Sequence, residues 1–326
     1  MRALTFDRYG PPDVVRVSDV PEPDVGAHDI LVRVHASAVN TGDWRIRAGA
    51  FPGLLAVPAR LMFGIFSPRK KRLGSEFAGT VAAVGHAVTG YQQGDRVFGI
   101  TVGGGASAAF AAIRQNAAVA KMPAGISFPQ AAALPFGAGT ALAFLRDFAK
   151  LQPGQRLLVV GGSGGVGCYA VQIGKALGAE VTAVAGPQNQ RFLYDLGADV
   201  ALDYTQSGPE GWGTAYDVII DAIGALSPRK ARAMLRAGGQ FFPLIFGAAE
   251  LRAAFGNLWH DRKVRIASNT DTAARLNDLT AMIAAGRLKP VIDSEFDLSE
   301  AAEAHLKVES RHRRGAVILL IADSAE

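Results

Sequence analysis

The chain has 326 residues, 49% of them hydrophobic and 19% charged, which excludes a disordered polymer and suffices for two ordinary cores. Its single cysteine, Cys168, excludes an internal disulfide and any cysteine-rich zinc module, and it fits a reducing compartment. A formal net charge of +5 leaves nucleic acid, an anionic surface or an anionic small molecule as partners.

Residues 2–40 read as β structure. Arg2–Phe6, Val14–Val20 and Ile30–Ala38 are candidate strands, separated by Gly10-Pro11-Pro12 and by Pro21 and Pro23. Strands punctuated this way predict a small antiparallel barrel or sandwich. Residues 43–48 predict a short helix. From Gly49 to Leu73 the chain reads as a long loop carrying Pro52, Pro58 and Pro68. Its Leu54, Leu55, Leu61, Met62, Phe63, Ile65 and Phe66 predict packing onto the body as one wall of an apolar pocket. A flap leaning on a membrane is the sharper alternative, and the run Arg69-Lys70-Lys71-Arg72 reads as a solvated basic loop. Thr80–Val84, Gly94–Phe98 and Ala108–Ile113 continue the β pattern, with a glycine turn at 103–105.

From Pro129 the pattern changes. Residues 131–148 have helical composition, interrupted by Pro135, Gly137 and Gly139. Leu157–Val160 then meets a glycine cluster, an amphipathic stretch marked by Val166, Ala170, Ile173 and Leu177, and a second apolar run, Val181–Ala185. A helix over 188–196, strands over 200–204 and 216–221, a helix over 227–236 closed by Gly238-Gly239, and strands over 240–246 and 264–267 follow. The last elements are helices over 271–285 (stripe Leu276, Leu279, Ile283) and 299–306, and a strand over 316–321. The alternation predicts an α/β chain: a Rossmann doubly wound parallel sheet over 126–266, and a β-rich catalytic domain over 1–125 to which 267–326 returns. The opening MRALTFDRYG has no signal-like apolar core, residues 54–66 are short and broken by Pro58 and Arg60, and 122–145 carries three prolines. The expectation is a cytoplasmic protein without membrane insertion.

Gly162-Ser163-Gly164-Gly165-Val166-Gly167 fits the dinucleotide fingerprint G-x-G-x-x-G between a strand and a helix. One glycine lets the chain turn, one admits a pyrophosphate to the backbone, and one lets helix and strand pack closely. Free N–H groups at the helix start then face the anion. An NAD site places Asp or Glu at the end of the second strand. Here that strand ends Val184-Ala185-Gly186-Pro187-Gln188, with no acid; Gln188 offers a neutral amide and Arg191 follows. The cofactor expected is therefore NADP(H). None of the six histidines has zinc-ligand spacing, so no metal site is expected. Cys168 at the phosphate turn is read as packing.

The stretches YGPPDVVRV (9–17), ILVRVHASAVNTGDWRIRAG (30–49), GSEFAGTVAAVG (74–85), GDRVFG (94–99), GGSGGVG (161–167), LGADVALDY (196–204) and YDVIIDAIG (216–224) together resemble the medium-chain dehydrogenase/reductase superfamily. The likeness is to its zinc-free quinone oxidoreductase branch, the zeta-crystallin-like proteins, and covers nearly the whole chain. It implies that the β-rich domain is GroES-like. The zinc enzymes of that superfamily carry a ligating His in Gly-His-Glu, and here Ser75 holds its place. The resemblance implies Asn40 near the nicotinamide ribose and Thr140 near the nicotinamide. It places Tyr204 and the residue just after Gly186 at the adenosine 2′-phosphate, and Ile223 among the cofactor contacts. Relatives often have a basic residue at the place of Gln188, which shifts weight to Arg191. The tail 309–315 resembles a segment that returns to the cofactor, with Arg311 first and Arg314 second as phosphate ligands. Oxyanion donors are sought around Asn40 and Trp44, and Asp43 either orients a neighbour or caps the helix. The implied reaction moves hydride from NADPH to a quinone or an α,β-unsaturated carbonyl. The rivals are an enoyl-thioester reductase and a non-catalytic NADPH- or RNA-binding protein of the same fold. No RNA-binding motif is present, so nucleic acid is disfavoured, and a homodimer is left open.

Overall fold

The computed structural model describes residues 1–51, 53, 56–101, 104–268 and 270–321. Two units divide the described residues: 1–51, 57–101, 104–139 and 271–321 form the first, and 53, 56, 140–268 and 270 the second. The sequence-based boundary at 125/126 is thus earlier than the edge of the first unit at 139/140. The reason is local: the helix after Ser127 packs on the strands of the first unit.

In the first unit, β1 (Arg2–Thr5) and β2 (Arg16–Asp19) pair antiparallel. The long strand β3 (Asp29–Val39) buries Ile30, Val32, Val34, Ala36 and Ala38 at a spacing of two, the period of a pleated strand. Helices α1 (Thr41–Ala48) and α2 (Ala56–Phe63) follow. Next come β4 (Glu76–Val84), β5 (Arg96–Ile100), β6 (Phe110–Arg114) and β7 (Val119–Lys121), then α3 (Phe128–Ala132) and α4 (Pro135–Leu142). Ser127 caps α3 in a reciprocal box with Gln130.

The second unit is a run of alternating elements: β8 (Arg156–Val160), α5 (Gly167–Ala176), β9 (Glu180–Ala185), α6 (Gln190–Asp195), β10 (Val200–Asp203), β11 (Tyr216–Asp221), α7 (Pro228–Met234), β12 (Leu235–Pro243), α8 (Ala248–Phe255) and β13 (Lys263–Val264). Its strands lie in the order β10-β9-β8-β11-β12-β13, all parallel. Counted from β8 this is 3-2-1-4-5-6, the doubly wound order whose ligands sit beyond the carboxyl ends of the central strands. Leu157–Val160 and all of β11 are buried, as a sheet covered on both faces requires. The strand expected from Gln240 begins earlier, at Leu235, and runs through Gly238-Gly239. Gly239 allows this, since a Cβ there would stand 2.9 Å from the carbonyl oxygen of Tyr216.

The chain then returns to the first unit with α9 (Ala273–Ala284), β14 (Ile292–Asp297), α10 (Ala301–Glu309) and β15 (Ala316–Leu320). The sheet order is β14-β15-β3-β4-β5-β7, with β6 also pairing β3. On α9 the buried stripe is Leu276, Leu279 and Met282, so Met282 takes the place expected of Ile283. Strand β14, IDSEFD, has no apolar alternation and escaped the sequence reading; it is held at the sheet edge by parallel pairing with β15.

The segment 50–73 departs from expectation. It contains α2, which buries no residue, and Leu61, Met62, Ile65 and Phe66 are all exposed. The structure does not pack these side chains onto the body. Phe63 is half-buried and stacks on Phe51 with ring centroids 5.5 Å apart. Pro52, Leu54 and Leu55 of that expectation, and Gly103 of the glycine turn, lie outside the described residues.

Candidate active site

Strand β8 ends in the glycine turn. Gly161 takes φ +81°, which favours glycine and swings the chain off the sheet. Gly162 faces Leu193 and Ala183, and a Cβ there would stand 3.0 and 3.1 Å from them. Gly167 opens α5 so close to the turn that a Cβ would lie 2.0 Å from the Gly161 carbonyl oxygen. At Gly164 an added Cβ would meet that oxygen at 3.5 Å, an ordinary contact. Gly162 and Gly167 therefore serve packing, while Gly164 keeps a face of the turn open. Val166 precedes α5 without a side-chain cap. The N–H groups of Ser163, Gly165 and Val166 find no backbone partner among the described residues. Uncapped donors at the start of a helix, around glycine, fit a pyrophosphate. Cys168 is fully buried, in keeping with packing.

The end of β9 is built around Gly186. A Cβ at Gly186 would lie 3.4 Å from Gln188 Oε1 and 3.4 Å from the Tyr204 hydroxyl, so these three residues converge. Gln190 holds the place together: its Nε2 donates to the carbonyls of Ala185, Gly186 and Leu202 at 3.3, 3.1 and 3.2 Å. Asn189 Nδ2 donates to Ser163 Oγ at 3.3 Å and links this corner to the glycine turn. Neither Asn189 nor Gln190 was singled out by the sequence; an amide-rich run directly after a strand end was the available signal. Arg191 turns the other way. Its Nε bonds Asp195 at 2.9 Å on the exposed side of α6, with the side chain 89% exposed.

At the end of β11, Asp221 is buried and shapes the next turn. Its Oδ1 accepts from Ile223 and Gly224 N–H at 3.0 and 2.8 Å, and its Oδ2 accepts from Leu226 N–H at 2.7 Å. Burial pushes its pKa up, and those N–H groups pull it back. The turn sets Ile223 against Gly161, where a Cβ would stand 2.7 Å from Ile223 Cγ2. Thr140 is buried on α4.

In the first unit, Asn40 ends β3 and caps α1. Its Oδ1 accepts from Gly42 and Asp43 N–H at 2.8 and 3.1 Å, and Asp43 Oδ2 accepts from Asn40 N–H at 3.0 Å. The cap is thus Asn40, and Asp43 closes a reciprocal box and orients it. The Nδ2 of Asn40 donates to Ser75 Oγ at 2.8 Å and to Glu76 Oε2 at 2.9 Å. Ser75 Oγ donates in turn to Asp43 Oδ2 at 3.3 Å. The other oxygen of Glu76 accepts from Phe136 N–H at 2.7 Å, at the start of α4.

The sequence around Ser75 gives no sign of the part Glu76 plays in the fold. Glu76 is 2% exposed and Asp43 3% exposed. Burial pushes Glu76 up to about 8, against its bonds from Asn40 and Phe136 and with the charges of Asp43 and Asp271 adding to the rise. Burial pushes Asp43 up to about 6, opposed by Asn40, Ser75 and the guanidinium of Arg313.

Trp44 sits in the hydrophobic core of this unit with Phe6, Val14 and Val39, which makes it a packing residue rather than an oxyanion donor. Of the tail arginines, Arg313 reaches this network: its Nη1 donates to the Val39 carbonyl at 3.3 Å and its Nη2 to Thr41 Oγ1 at 3.4 Å. Arg311 is exposed at φ +60°, and with burial its charge lowers the pKa of Arg45. Arg314 is exposed and its N–H donates to Asp293 Oδ1 at 2.6 Å. Spacing in sequence could not rank three arginines in four positions, because strand pairing decides which one faces β3. Among the described residues, no group of three or more His, Cys, Asp or Glu is placed to hold a metal ion. None of the described helices is long and apolar enough to cross a membrane.

Residues 26–186 match the model of the alcohol dehydrogenase GroES-like domain, and residues 196–319 that of the zinc-binding dehydrogenases. A chloroplastic quinone-oxidoreductase homolog of Spinacia oleracea is 30% identical, with 98% of each chain covered. The chloroplastic NADPH-dependent alkenal/one oxidoreductase of Arabidopsis thaliana is also 30% identical, over 98% of this chain and 79% of its own. The structure of Escherichia coli quinone oxidoreductase complexed with NADPH superposes with a TM-score of 0.82 at 26% identity, covering 98% of this chain and 100% of that one.

Proposed function

The chain belongs to the quinone oxidoreductase branch of the medium-chain dehydrogenase/reductase superfamily, and from that footing we propose that it is an NADPH-dependent, zinc-independent reductase of quinones or α,β-unsaturated carbonyls. The observation that carries the reading is the corner at Gly186. An amide and a phenol converge there with no carboxylate between them, which suits a 2′-phosphate and not a ribose diol held by an acid. The NADPH-bound quinone oxidoreductase of Escherichia coli supports the same cofactor and a quinone acceptor, and the alkenal/one oxidoreductase of Arabidopsis supports an enone.

The nicotinamide supplies the hydride when bound. The chain's own residues bind and orient. Ser163, Gly165 and Val166 N–H would hold the pyrophosphate, Ile223 covers Gly161, and Gln188 and Tyr204 would meet the 2′-phosphate. Ser75 stands where a metal-ligating His would, and its hydroxyl is engaged between Asn40 and Asp43. Glu76 keeps its proton at neutral pH, so of the two buried carboxyl groups bonded to Asn40 only Asp43, pushed up to about 6, carries charge there. The reading includes a cytoplasmic setting and leaves a homodimer open.

The test is an NADPH-oxidation screen across quinones, enones and enoyl thioesters. Turnover of an ortho-quinone or enone with NADPH preferred over NADH is the expected result. Preference for a thioester would move the assignment to an enoyl-thioester reductase. Salt-dependent RNA binding without turnover would remove the enzyme reading altogether.

A further inference from the structure

We propose that the segment 57–72 is a docking surface for an anionic lipid bilayer. Val57, Leu61, Met62, Ile65 and Phe66 are exposed, with relative exposure of 50% at Ile65 and 93% at Phe66. Five large apolar side chains within ten residues are more than scattered surface hydrophobics, and such a patch marks an interaction site. The proposal is independent of the reaction assigned above.

The patch is held in place by the body of the first unit. The Tyr9 hydroxyl donates to the Gly64 carbonyl at 2.8 Å. Arg60 lies 4.2 Å over the Tyr9 ring, and its guanidinium donates to the carbonyls of Ile65 and Gly49 at 3.2 and 3.3 Å. Phe6 N–H donates to the Lys71 carbonyl at 2.9 Å, and Thr5 bridges Arg72. Ile65 and Phe66 therefore stand at the tip of a turn fixed at both ends.

Charge selects the occupant. From Trp44 to Ser75 the sequence has no acidic residue, and its basic residues include the run Arg69-Lys70-Lys71-Arg72, all exposed. Lys71 and Arg72 also line a groove with Asp7, Glu22 and Asp24, so Arg69 and Lys70 carry the unbalanced part of the charge. A short apolar face followed directly by a basic run is the pattern of peripheral binding: the apolar tips enter the interface and the cations meet anionic headgroups. Aliphatic side chains such as Leu61 and Ile65 offer nothing to a nucleic acid, which recognises aromatic and polar groups. A spanning role is not needed, and none of the described helices is long enough for one.

The experiment is vesicle flotation of the full chain with equal parts phosphatidylglycerol and phosphatidylcholine, against phosphatidylcholine alone. Flotation with the anionic vesicles only, weakened by salt, is expected. Arg69→Gln with Lys70→Gln should weaken it by roughly tenfold or more, from the usual attraction of a basic residue to an anionic surface. Ile65→Ser with Phe66→Ser should weaken it by about tenfold through lost apolar burial. Backbone hydrogen exchange over 57–72, slowed by the anionic vesicles, reads the same contact without any variant. The proposal is overturned by absent flotation or by equal flotation of all variants. It is also overturned by a concentration-dependent dimer that Phe66→Ser dissolves without any vesicle binding, or by RNA binding lost only with the cations.

Discussion

The Nδ2 of Asn40 lies 2.9 Å from Oε2 of Glu76, and with that bond every hydrogen-bonding position of the Asn40 side chain is taken. Asn40 has no donor or acceptor left for a ligand. Its part is to hold β3, α1, β4 and, through Glu76, the first turn of α4 in one arrangement. Asn40→Ala removes a cap worth about 1 kcal/mol and strips a partner from a buried carboxyl, at about 1–3 kcal/mol more. Chemical denaturation should show a loss of roughly 2–4 kcal/mol, while fluorescence titration shows NADPH affinity within a few-fold of the parent. A stable variant that no longer binds NADPH would mean that Asn40 contacts the cofactor directly.

Glu76 makes stability fall with rising pH. Its folded value, about 8, stands above the ordinary 4.5, so the folded state holds the proton more tightly. Its contribution is present below the unfolded value and lost as pH rises toward the folded one, with a slope approaching about 1.4 kcal/mol per pH unit. His305, buried and depressed to about 3, acts in the opposite sense and below its ordinary 6.5. Asp43 loses its effect by about 6. Of these three, Glu76 alone acts between pH 6.5 and 8. Glu76→Gln should flatten the denaturation midpoint over that window, while lowering it throughout because an amide nitrogen cannot accept one of the two bonds. Parallel pH profiles for the two proteins would show that Glu76 is ionised in the fold.

The corner at Gly186 predicts a cofactor switch. Gly186 has φ −73°, open to any side chain, and its Cβ contacts would be ordinary ones. Gly186→Asp would set a carboxylate beside Gln188 and Tyr204, where it repels a 2′-phosphate. The NADPH dissociation constant should rise by about tenfold or more, as for one lost charge-assisted bond, and NADH binding should hold or improve. Tyr204→Phe should weaken NADPH by roughly threefold to tenfold, the size of one neutral hydrogen bond. An unchanged NADPH-to-NADH ratio in both variants would place the phosphate elsewhere.

Two glycines of the turn should separate fold from binding. Gly167→Ala forces a Cβ to 2.0 Å from a backbone oxygen that cannot move aside. Destabilisation of about 2 kcal/mol or more is expected. Gly164→Ala meets only an ordinary 3.5 Å contact. It should melt within a degree or two of the parent yet bind NADPH less tightly, since the methyl occupies the face left for the pyrophosphate. Thermal melts with and without NADPH make the comparison, and equal melting of the two apo proteins would count against the packing role of Gly167.

The features legible from the chain alone were those written in contiguous residues. The fingerprint at 162–167 announces itself because turn, phosphate approach and helix packing all happen within six positions. The missing acid after Val184 and Ala185 is equally local, and the period-two pattern of β3 is a property of one strand. Glu76 was not legible for the opposite reason. Its partners are Asn40, 36 positions earlier, and Phe136, 60 positions later. An isolated Glu in GSEFAG carries no sign of either, nor of the burial that holds its proton.

The amino-acid order by itself determined the parallel α/β unit, its nucleotide turn and the family, because hydrophobic period and glycine spacing act over a few residues. Tertiary structure alone decided three other matters. It brought Arg313, and neither Arg311 nor Arg314, to the Val39 carbonyl and the Thr41 hydroxyl, since the pairing of β15 with β3 sets how the tail meets the end of β3. It drew Asp43 and Glu76 into one buried network, since desolvation depends on what surrounds a group and not on its neighbours in sequence. And it left Leu61, Met62, Ile65 and Phe66 uncovered. Their hydrophobicity predicts burial, but burial needs a second surface, and the described chain supplies none.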